Sequence, residues 1–377
     1  MSSLVWVELD AGAVAHNVRE LRRGLDPALL FCAVVKANAY GHGVREMAGL
    51  LDGVDWFAVN SCEEAGELQA AGVRKPILIM GHVPLHQIEE AVRGGFRLTV
   101  YNPETIARIL ALPPDLPPAR VHVKVETGTG RQGVMPEDLL GLLEAIGRGR
   151  RIVMEGLSTH FANIEDTMDH DYAAAQLERF RAVLTLLRDR GTEVPVVHTA
   201  ATAALILFPK THFTLVRAGI GIYGLWPSRE TYLSALLEKR PVPDLRPVLS
   251  WKTRIVQLKT LPEGSSVSYG CTYKTTRTTR VAVLPVGYAD GYDRRLGNVA
   301  YVLVRGKRAS VIGRVCMNMV MADVTDVSGV SLEEEVILLG ASGGEVISAE
   351  TMASWVGSIN YEIVARISPL LPRKVVG

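Results

Sequence analysis

Short runs of apolar and β-branched residues alternate with segments of helical periodicity over the first two-thirds of the chain. Helical patterns occupy residues 62–71, 105–112 and 171–190, between such runs. Repeated strand-then-helix units predict a (β/α)₈ barrel of the TIM type, with an open doubly wound sheet as the alternative. The eight predicted barrel strands are 30–36, 55–60, 76–80, 97–100, 120–126, 152–160, 194–198 and 212–217.

From about residue 245 the pattern changes to strand-like runs without long intervening helices. This texture predicts a C-terminal, mainly β domain. Residues 240–247 contain three prolines and are a candidate linker. We therefore predict a barrel domain at 10–239 and a β-domain at 240–377, to which the alternating N-terminal segment adds a strand at 1–9. The runs in the second domain are 248–258, 280–285, 300–304, 310–324 and 335–339.

Composition removes several classes of function. The 377 residues include 41 basic and 40 acidic side chains, so a net charge of +1 gives no field for nucleic acid or an anionic membrane. No apolar run reaches the roughly 18 residues that span a bilayer, and residues 1–10 lack the features of a secretion signal. The expected location is the cytoplasm. Four widely spaced cysteines suggest neither a disulfide framework nor a metal site.

Five side chains that are candidates for catalysis or binding lie at or just after the carboxyl ends of predicted strands. They are Lys36, Arg131, His160, His198 and Arg217, after the first, fifth, sixth, seventh and eighth strands. Taken singly, each is typical of a loop or a satisfied core position. Because such barrels carry their chemistry at this end, the shared placement predicts one site at the barrel mouth.

Lys36 has the most informative surroundings, in the stretch Val35-Lys-Ala-Asn-Ala-Tyr-Gly-His-Gly43. A lysine between an apolar strand and a glycine-rich turn is partly desolvated, which lowers the pKa of its ammonium group. The neutral amine can then attack an aldehyde, so Lys36 is a candidate covalent anchor. A surface lysine in a loop is the alternative reading.

A glycine-rich turn follows the eighth predicted strand and begins at Arg217. Its backbone N–H groups at Gly219 and Ile220 could bind a phosphate, and the hydroxyls of Thr202 and Tyr40 could add donors. Close packing explains many such turns equally well. Arg217 itself can only donate hydrogen bonds, so whatever it faces must supply a lone pair.

Six segments in this order and spacing resemble the alanine racemase family, pyridoxal-phosphate enzymes that combine a barrel with a β-domain. The resemblance covers the chain from Val5 to Pro369. It implies an isomerase that supplies D-alanine for peptidoglycan. The matching segments are 35–43, 126–133, 217–224, 267–273, 313–318 and 359–362.

The resemblance implies a role for each candidate residue. Lys36 would hold the cofactor as a Schiff base and exchange the Cα proton on one face of the substrate, and Tyr269 would do so on the other. Arg217 would face the pyridine nitrogen and leave it unprotonated. Arg131 and the backbone N–H of Met317 would bind the substrate carboxylate, Lys124 would orient Arg131 in carbamylated form, and Arg131 or His160 would assist Tyr269. The residues implied for the cofactor are Lys36, Tyr40, His198, Thr202, Arg217, Gly219, Ile220 and Tyr361.

In this family the tyrosine comes from the other subunit, so the resemblance implies a homodimer with shared active sites. The chain departs from the family pattern at Ala201, Glu126 and Asn318, where asparagine, aspartate and aspartate are usual. Three alternatives therefore stay open. They are a racemase of serine, lysine or a broader set of amino acids, a non-catalytic pyridoxal-phosphate-binding protein, and a structural protein that kept the fold.

Overall fold

The computed structural model describes residues 3–377, so the first two residues of the predicted strand 1–9 lie outside the described part. The chain forms two compact units. The barrel unit comprises residues 15–37 and 47–245, and the β-rich unit comprises 3–14, 38–46 and 246–377. No helix within 3–377 combines the length and apolar character needed to cross a membrane.

The β-strands are numbered in chain order. They are β1 Val5–Asp10, β2 Leu30–Val34, β3 Trp56–Val59, β4 Ile77–Ile79, β5 Arg97–Val100, β6 Ala119–Lys124, β7 Ile152–Ser158, β8 Val196–His198, β9 Leu215–Ala218, β10 Leu249–Arg254, β11 Gln257–Leu261, β12 Ser266–Val267, β13 Tyr273–Lys274, β14 Thr279–Leu284, β15 Tyr301–Val304, β16 Lys307–Ser310, β17 Val320–Asp323, β18 Glu335–Ser342, β19 Glu345–Ile347 and β20 Arg373–Val376.

The helices are numbered in the same way. The α-helices are α1 Ala11–Arg22, α2 Lys36–Tyr40, α3 Val44–Leu50, α4 Cys62–Ala70, α5 Ile88–Arg93, α6 Pro103–Leu110, α7 Leu139–Gly147, α8 Asp171–Asp189, α9 Thr202–Leu207, α10 Arg229–Leu237, α11 Ala349–Val356 and α12 Asn360–Ala365. Short 3₁₀ helices occupy Leu85–Gln87, Pro209–Thr211, Ile220–Tyr223, Tyr269–Cys271, Tyr288–Asp290 and Arg294–Leu296.

The barrel unit contains an eight-stranded parallel sheet in the order β8-β7-β6-β5-β4-β3-β2-β9. Its two end strands meet through single hydrogen bonds, from the Thr214 N–H to the Val197 carbonyl and from the Arg217 N–H to the Ala200 carbonyl, both 3.1 Å. The sheet is thus a nearly closed barrel. Side-chain caps start its helices, as where Asn102 accepts from the Thr105 N–H at 2.9 Å at the start of α6. The prediction of a TIM-like barrel followed by a β-domain is confirmed.

The β-rich unit is built on a sheet of order β16-β15-β18-β10-β1-β20, with β19 paired to β18. Separate small sheets join β11, β14 and β17, and β12 with β13. The N-terminal strand β1 lies antiparallel to β10 and parallel to β20. The alternation of apolar and polar residues in β10 buries Leu249, Trp251 and Thr253 on one face.

One segment of the predicted barrel domain, residues 38–46, packs instead with the β-rich unit. A Cβ added at Gly41 would lie 1.9 Å from the carbonyl oxygen of Val364, so only glycine permits this approach. The Arg373 guanidinium also donates to the Gly41 carbonyl, at 3.1 Å from Nε and 2.7 Å from Nη2. These contacts bind the segment to the C-terminal part of the chain.

Two predicted strands of the second domain are wrong as single elements. Residues 248–258 form β10 and β11 with a break between them, and of residues 310–324 only the last part forms β17. The chain reverses there, because the Ile312 N–H donates to the Met321 carbonyl and the Cys316 N–H to the Met319 carbonyl, both at 2.9 Å. Apolar content alone cannot distinguish such a tight loop from an extended strand.

Candidate active site

Lys36 lies directly after the first barrel strand. Strand β2 ends at Val34, and the Val35 N–H still donates to the Ala58 carbonyl of the neighbouring strand at 2.9 Å. Burial lowers the pKa of the Lys36 ammonium, and the positive charge of Arg131 lowers it further. The local structure therefore increases the share of neutral, nucleophilic amine.

The backbone after Lys36 adopts a left-handed turn. Ala37, Asn38, Ala39 and Tyr40 have φ between 53° and 54°. This conformation costs L-residues roughly 1–2 kcal/mol each, so the surroundings must stabilise it. Asn38 supplies part of that support, since its side-chain oxygen accepts from the Val44 N–H at 2.9 Å. Strain of this kind is typical of functional sites.

Glu64 holds the start of the turn from the barrel side. Its Oε1 accepts from the Ala37 N–H and its Oε2 from the Asn60 N–H, both at 2.6 Å. One carboxylate thus joins the ends of two neighbouring strands. It also opposes the lowering of the Lys36 pKa, after the larger effects of burial and Arg131.

Arg217 is buried at the end of the eighth strand and is almost saturated with hydrogen bonds. Nη1 donates to Nδ1 of His198 and to the His198 carbonyl at 3.0 Å. Nη2 donates to the carbonyls of Thr159 at 3.1 Å and Thr199 at 2.9 Å. A guanidinium has five N–H donors, and within residues 3–377 no acceptor is seen for the fifth, on Nε. Burial lowers the Arg217 pKa to about 10, which leaves the group charged at neutral pH.

The glycine-rich turn after this strand is fixed by Thr202. Its Oγ1 accepts from the Gly219 N–H at 3.0 Å, and Thr202 is buried. That bond uses a lone pair of the hydroxyl, so the O–H can still donate to another group. The 3₁₀ helix that starts at Ile220 continues the turn. The sequence predicted anion donors at Gly219 and Ile220, but the Gly219 N–H already donates to Thr202, which leaves the Thr202 O–H and the Ile220 N–H as the candidate donors of this turn.

Glu126 shapes the loop that carries Arg131. Its Oε1 accepts from the N–H groups of Gly128 at 2.6 Å and Thr129 at 2.5 Å, and its Oε2 from the Arg131 N–H at 3.1 Å. Partial burial raises the pKa of this carboxyl, but the backbone donors outweigh burial and lower it. A glutamate where aspartate is usual thus still organises the loop.

Lys124 ends the fifth barrel strand among positive charges. Burial lowers the pKa of its ammonium to about 8, and the charges of Arg131 and Arg217 contribute. Much of this amine is therefore neutral slightly above neutral pH, unlike that of an exposed lysine.

Both mouth histidines are neutral at physiological pH. Burial, followed by the charges of Arg217 and Arg131, lowers the pKa of His160 to about 3. Burial also places the pKa of His198 well below its usual value. His160 can therefore assist a neighbouring group by hydrogen bonding, but it cannot supply a positive charge.

The remaining predicted site residues lie in the β-rich unit in two pairs. The rings of Tyr40 and Tyr361 are 6.0 Å apart between centroids and inclined by 46°. Tyr269 and Met317 line one cavity of about 560 Å³, together with Cys316 and Asn318. Tyr269 is 71% exposed and Met317 56% exposed, so both side chains are accessible at this cavity.

Sequence reasoning missed Glu64, His122 and Glu155. His122 lies two residues before Lys124 in β6, so the period of two already places both on one face of the strand. The rings of His122 and His198 lie 5.1 Å apart between centroids. No comparable signal exists for the contact of Glu64 with Ala37, which lies 27 positions away, or for Glu155, whose partners are all distant in the sequence.

The sequence model of "Alanine racemase, N-terminal domain" matches residues 9–227, and that of "Alanine racemase, C-terminal domain" matches residues 248–375. The chain belongs to the alanine racemase family. The predicted resemblance and the prediction that the chain is an enzyme of this family are both confirmed.

Similar proteins support this family membership over the full length. The alanine racemase of Desulforamulus reducens is 40% identical and covers 100% of both chains. That of Halothermothrix orenii is 41% identical over 98% of this chain and 96% of its own. The crystal structure of alanine racemase from Bacillus anthracis with bound L-Ala-P has a TM-score of 0.93 and 34% identity, covering 100% of this chain and 96% of that one.

Proposed function

We propose that this protein interconverts L-alanine and D-alanine with pyridoxal phosphate as cofactor, and that the D-alanine serves peptidoglycan synthesis. The observation that carries the proposal is the occurrence in one barrel of Lys36, whose pKa is lowered, and of Arg217, whose Nε–H has no acceptor among residues 3–377. Relatives about 40% identical are named alanine racemase. The proposed location is the cytoplasm, which the four free cysteines fit.

The residues of the barrel mouth fit this cofactor. Lys36 offers an amine to its aldehyde, and Nε of Arg217 offers a donor to its ring nitrogen. The Thr202 O–H and the Ile220 N–H offer donors to its phosphate, and the Gly219 N–H holds Thr202 in place. When bound, pyridoxal phosphate captures the substrate amino group and withdraws electrons from Cα. The predicted phosphate contacts of Tyr40 and Tyr361 belong to the same proposal.

Two proton carriers are needed, because inversion requires one on each face of Cα. We assign Lys36 to one face and Tyr269 to the other. Tyr269 is exposed on an apolar cavity of the β-rich unit, and we propose that the barrel of a second copy covers this cavity. The enzyme would then be a homodimer with two shared sites.

The remaining residues bind and orient. We assign Arg131 and the backbone of Met317 to the substrate carboxylate. Arg217 would offer its Nε–H to the ring nitrogen and would leave that nitrogen unprotonated, since a guanidinium donates and does not give up its proton. His198 supports Arg217 by accepting its Nη1–H.

We further propose that Lys124 carries a carbamate. The neutral amine adds to carbon dioxide, forms an N–C bond and releases one proton. Burial and the charges of Arg131 and Arg217 lower the Lys124 pKa to about 8. The fraction of Lys124 that carries the carbamate should therefore rise as the pH increases toward 8 and decrease as the pH is lowered from 8. The new anion would pair with Arg131.

Protein equilibrated with ¹³C-bicarbonate should therefore give one carbamate carbon signal that grows between pH 6.5 and 8.5, two values chosen to bracket the Lys124 pKa. Lys124→Arg should lack the signal, whereas Lys75→Arg, a change at a half-buried lysine whose Nζ donates to the Asp52 carbonyl, should keep it. A signal absent from the wild type at every pH would show that Lys124 is a plain amine.

The proposed function is tested by absorption and by a chiral assay. Protein expressed with added pyridoxal phosphate should be yellow, and borohydride should fix the cofactor to a peptide that contains Lys36. The same preparation should racemise alanine faster than serine, lysine or other amino acids. Lys75→Ala is the control and should keep both properties. Colourless protein, or coloured protein that racemises none of the amino acids, would reject the proposal.

A further inference from the structure

A line of polar side chains runs through the interior of the barrel unit from Arg217 to Glu155. Nη1 of Arg217 donates to Nδ1 of His198, and Nε2 of His198 lies 2.8 Å from Nδ1 of His122. Nε2 of His122 lies 3.5 Å from a carboxylate oxygen of Glu155. His122 is fully buried, and His198 and Arg217 are buried. Such groups are costly inside a barrel, so their alignment needs an explanation.

The donors and acceptors in this line can point in only one direction. A guanidinium cannot accept, so Nδ1 of His198 must offer a lone pair to Arg217. The proton of neutral His198 is then on Nε2 and is donated to Nδ1 of His122. By the same logic His122 carries its proton on Nε2, which makes no hydrogen bond within the described residues and faces the Glu155 carboxylate across 3.5 Å. The negative charge of the carboxylate favours this N–H and thereby fixes both tautomers.

The barrel is locally modified to place these groups. The pairing of β6 with β7 shifts register between Val121 and His122, so Glu155 lacks a pairing partner in the adjoining strand. Bulges re-aim side chains and are rare between parallel strands. A Cβ at the next residue, Gly156, would lie 2.3 Å from Nδ1 of His122, so only glycine leaves room for the ring.

Two arginines hold the carboxylate in its ionised form. Nε of Arg97 lies 3.1 Å from one oxygen of Glu155, and Nη1 of Arg120 lies 2.9 Å from the other. Although burial raises the pKa of Glu155, His122 and Arg97 outweigh it and lower the pKa to about 2. Glu155 is therefore a stable acceptor at every pH at which the protein would be assayed.

We propose that Glu155, acting through His122 and His198, is a positioning residue that holds Arg217 with its free Nε–H directed at the cofactor ring. Its role at the ring rests on the proposed function, but the tautomer order does not. If His122 is replaced by a residue that accepts no hydrogen bond, the His198 proton can move from Nε2 to Nδ1. It then points at the Arg217 N–H, so that two donors face each other. Arg217 then loses an acceptor and its fixed orientation.

The tautomers can be measured without any cofactor. In cofactor-free protein labelled with ¹⁵N-histidine, whose nine histidines are assigned by substitution, His122 and His198 should both be neutral with the proton on Nε2. In Glu155→Ala protein at least one of them should change tautomer. A wild-type His198 that is cationic or protonated on Nδ1 would overturn the proposal, whatever the enzyme's activity.

The consequence for Arg217 is measured in the loaded enzyme, with ring-¹⁵N pyridoxal phosphate. His122→Leu should shift the ring-nitrogen resonance toward that of the protonated form and lower kcat about tenfold, the effect of one lost buried hydrogen bond. The separate variant Glu155→Gln retains an acceptor oxygen and should keep the wild-type resonance. Val121→Ala, at a buried residue next to His122, controls for loss of stability and should leave the resonance unchanged.

Two outcomes count against the proposal in this second experiment. An unchanged resonance in folded His122→Leu protein would show that the line does not act on Arg217. An equal shift in Val121→Ala would show a general effect of packing. If His122→Leu does not fold, Glu155→Ala replaces it. A wild type that binds no cofactor would reject the proposed function and leave the tautomer result standing.

Discussion

Lys36→Ala and Tyr269→Phe proteins, each inactive alone, should regain about one quarter of wild-type activity when they are unfolded together and refolded in equal amounts. Each variant lacks one proton carrier at every site, and such a carrier contributes about 10²- to 10⁴-fold to the rate. Refolding should give about half mixed dimers, and a mixed dimer has one intact site and one doubly defective site. Racemisation is measured after native mass spectrometry has established the mixed dimer.

The matched control for this experiment is the variant Tyr273→Phe. Tyr273 lies in the neighbouring strand β13 and packs against the buried residues Val267, Val281 and Ile312 of the β-rich unit. This variant should be active by itself. Simple mixing of tight dimers is not a fair test, because subunits must exchange. Mixed dimers that stay as inactive as their parents would exclude a site shared between Lys36 of one subunit and Tyr269 of the other.

Replacing Arg217 by glutamate should protonate the ring nitrogen of bound pyridoxal phosphate and slow racemisation about 10²- to 10³-fold, the usual effect of removing one positioned donor. A carboxylate accepts where the guanidinium donated. The stronger electron sink should raise the share of turnovers lost to transamination, which is measured as pyridoxamine phosphate and pyruvate formed per racemisation. The ring-¹⁵N resonance reports the protonation directly.

The Arg217→Glu substitution also removes four hydrogen bonds, three of which are to backbone carbonyls. Each buried group left without a partner costs about 1–3 kcal/mol, so the thermal midpoint should fall. Arg217→Gln loses much of the same network but brings no carboxylate, and it should not protonate the ring. If the ring nitrogen stays unprotonated in folded Arg217→Glu protein, Arg217 is not the group that faces it.

Much of the barrel could be predicted because its strands are short, apolar and separated by helical patterns. Strand β5 has the predicted bounds 97–100, and β6 begins and ends within two residues of the predicted 120–126. The run 310–324 failed because backbone bonds inside it reverse the chain, and their geometry leaves no trace in apolar content. The placement of residues 38–46 depends on contacts with residues more than 300 positions away.

The candidate site divides in the same way. Lys36, His160, His198 and Arg217 could be predicted as candidates because strand ends converge at a barrel mouth, whereas Lys124 followed only from the family resemblance. The left-handed turn after Lys36 could not be predicted, since alanine does not favour that conformation and contacts such as those of Glu64 and Asn38 stabilise it. Glu155 could not be predicted either. A bulge between β6 and β7 interrupts the alternation of side chains between the two faces of the sheet, from which the direction of the Glu155 side chain would be inferred.

The hydrogen bonds of Arg217 also bear on how this site could change during evolution. A lysine at 217 would be the mildest replacement by charge, but its single ammonium cannot reach three carbonyls and an imidazole from the positions that the fork of a guanidinium occupies. Even the substitution of Arg217 by lysine would thus disrupt this hydrogen-bond network. We therefore expect lineages that lose this arginine to carry changes at several of its neighbours as well.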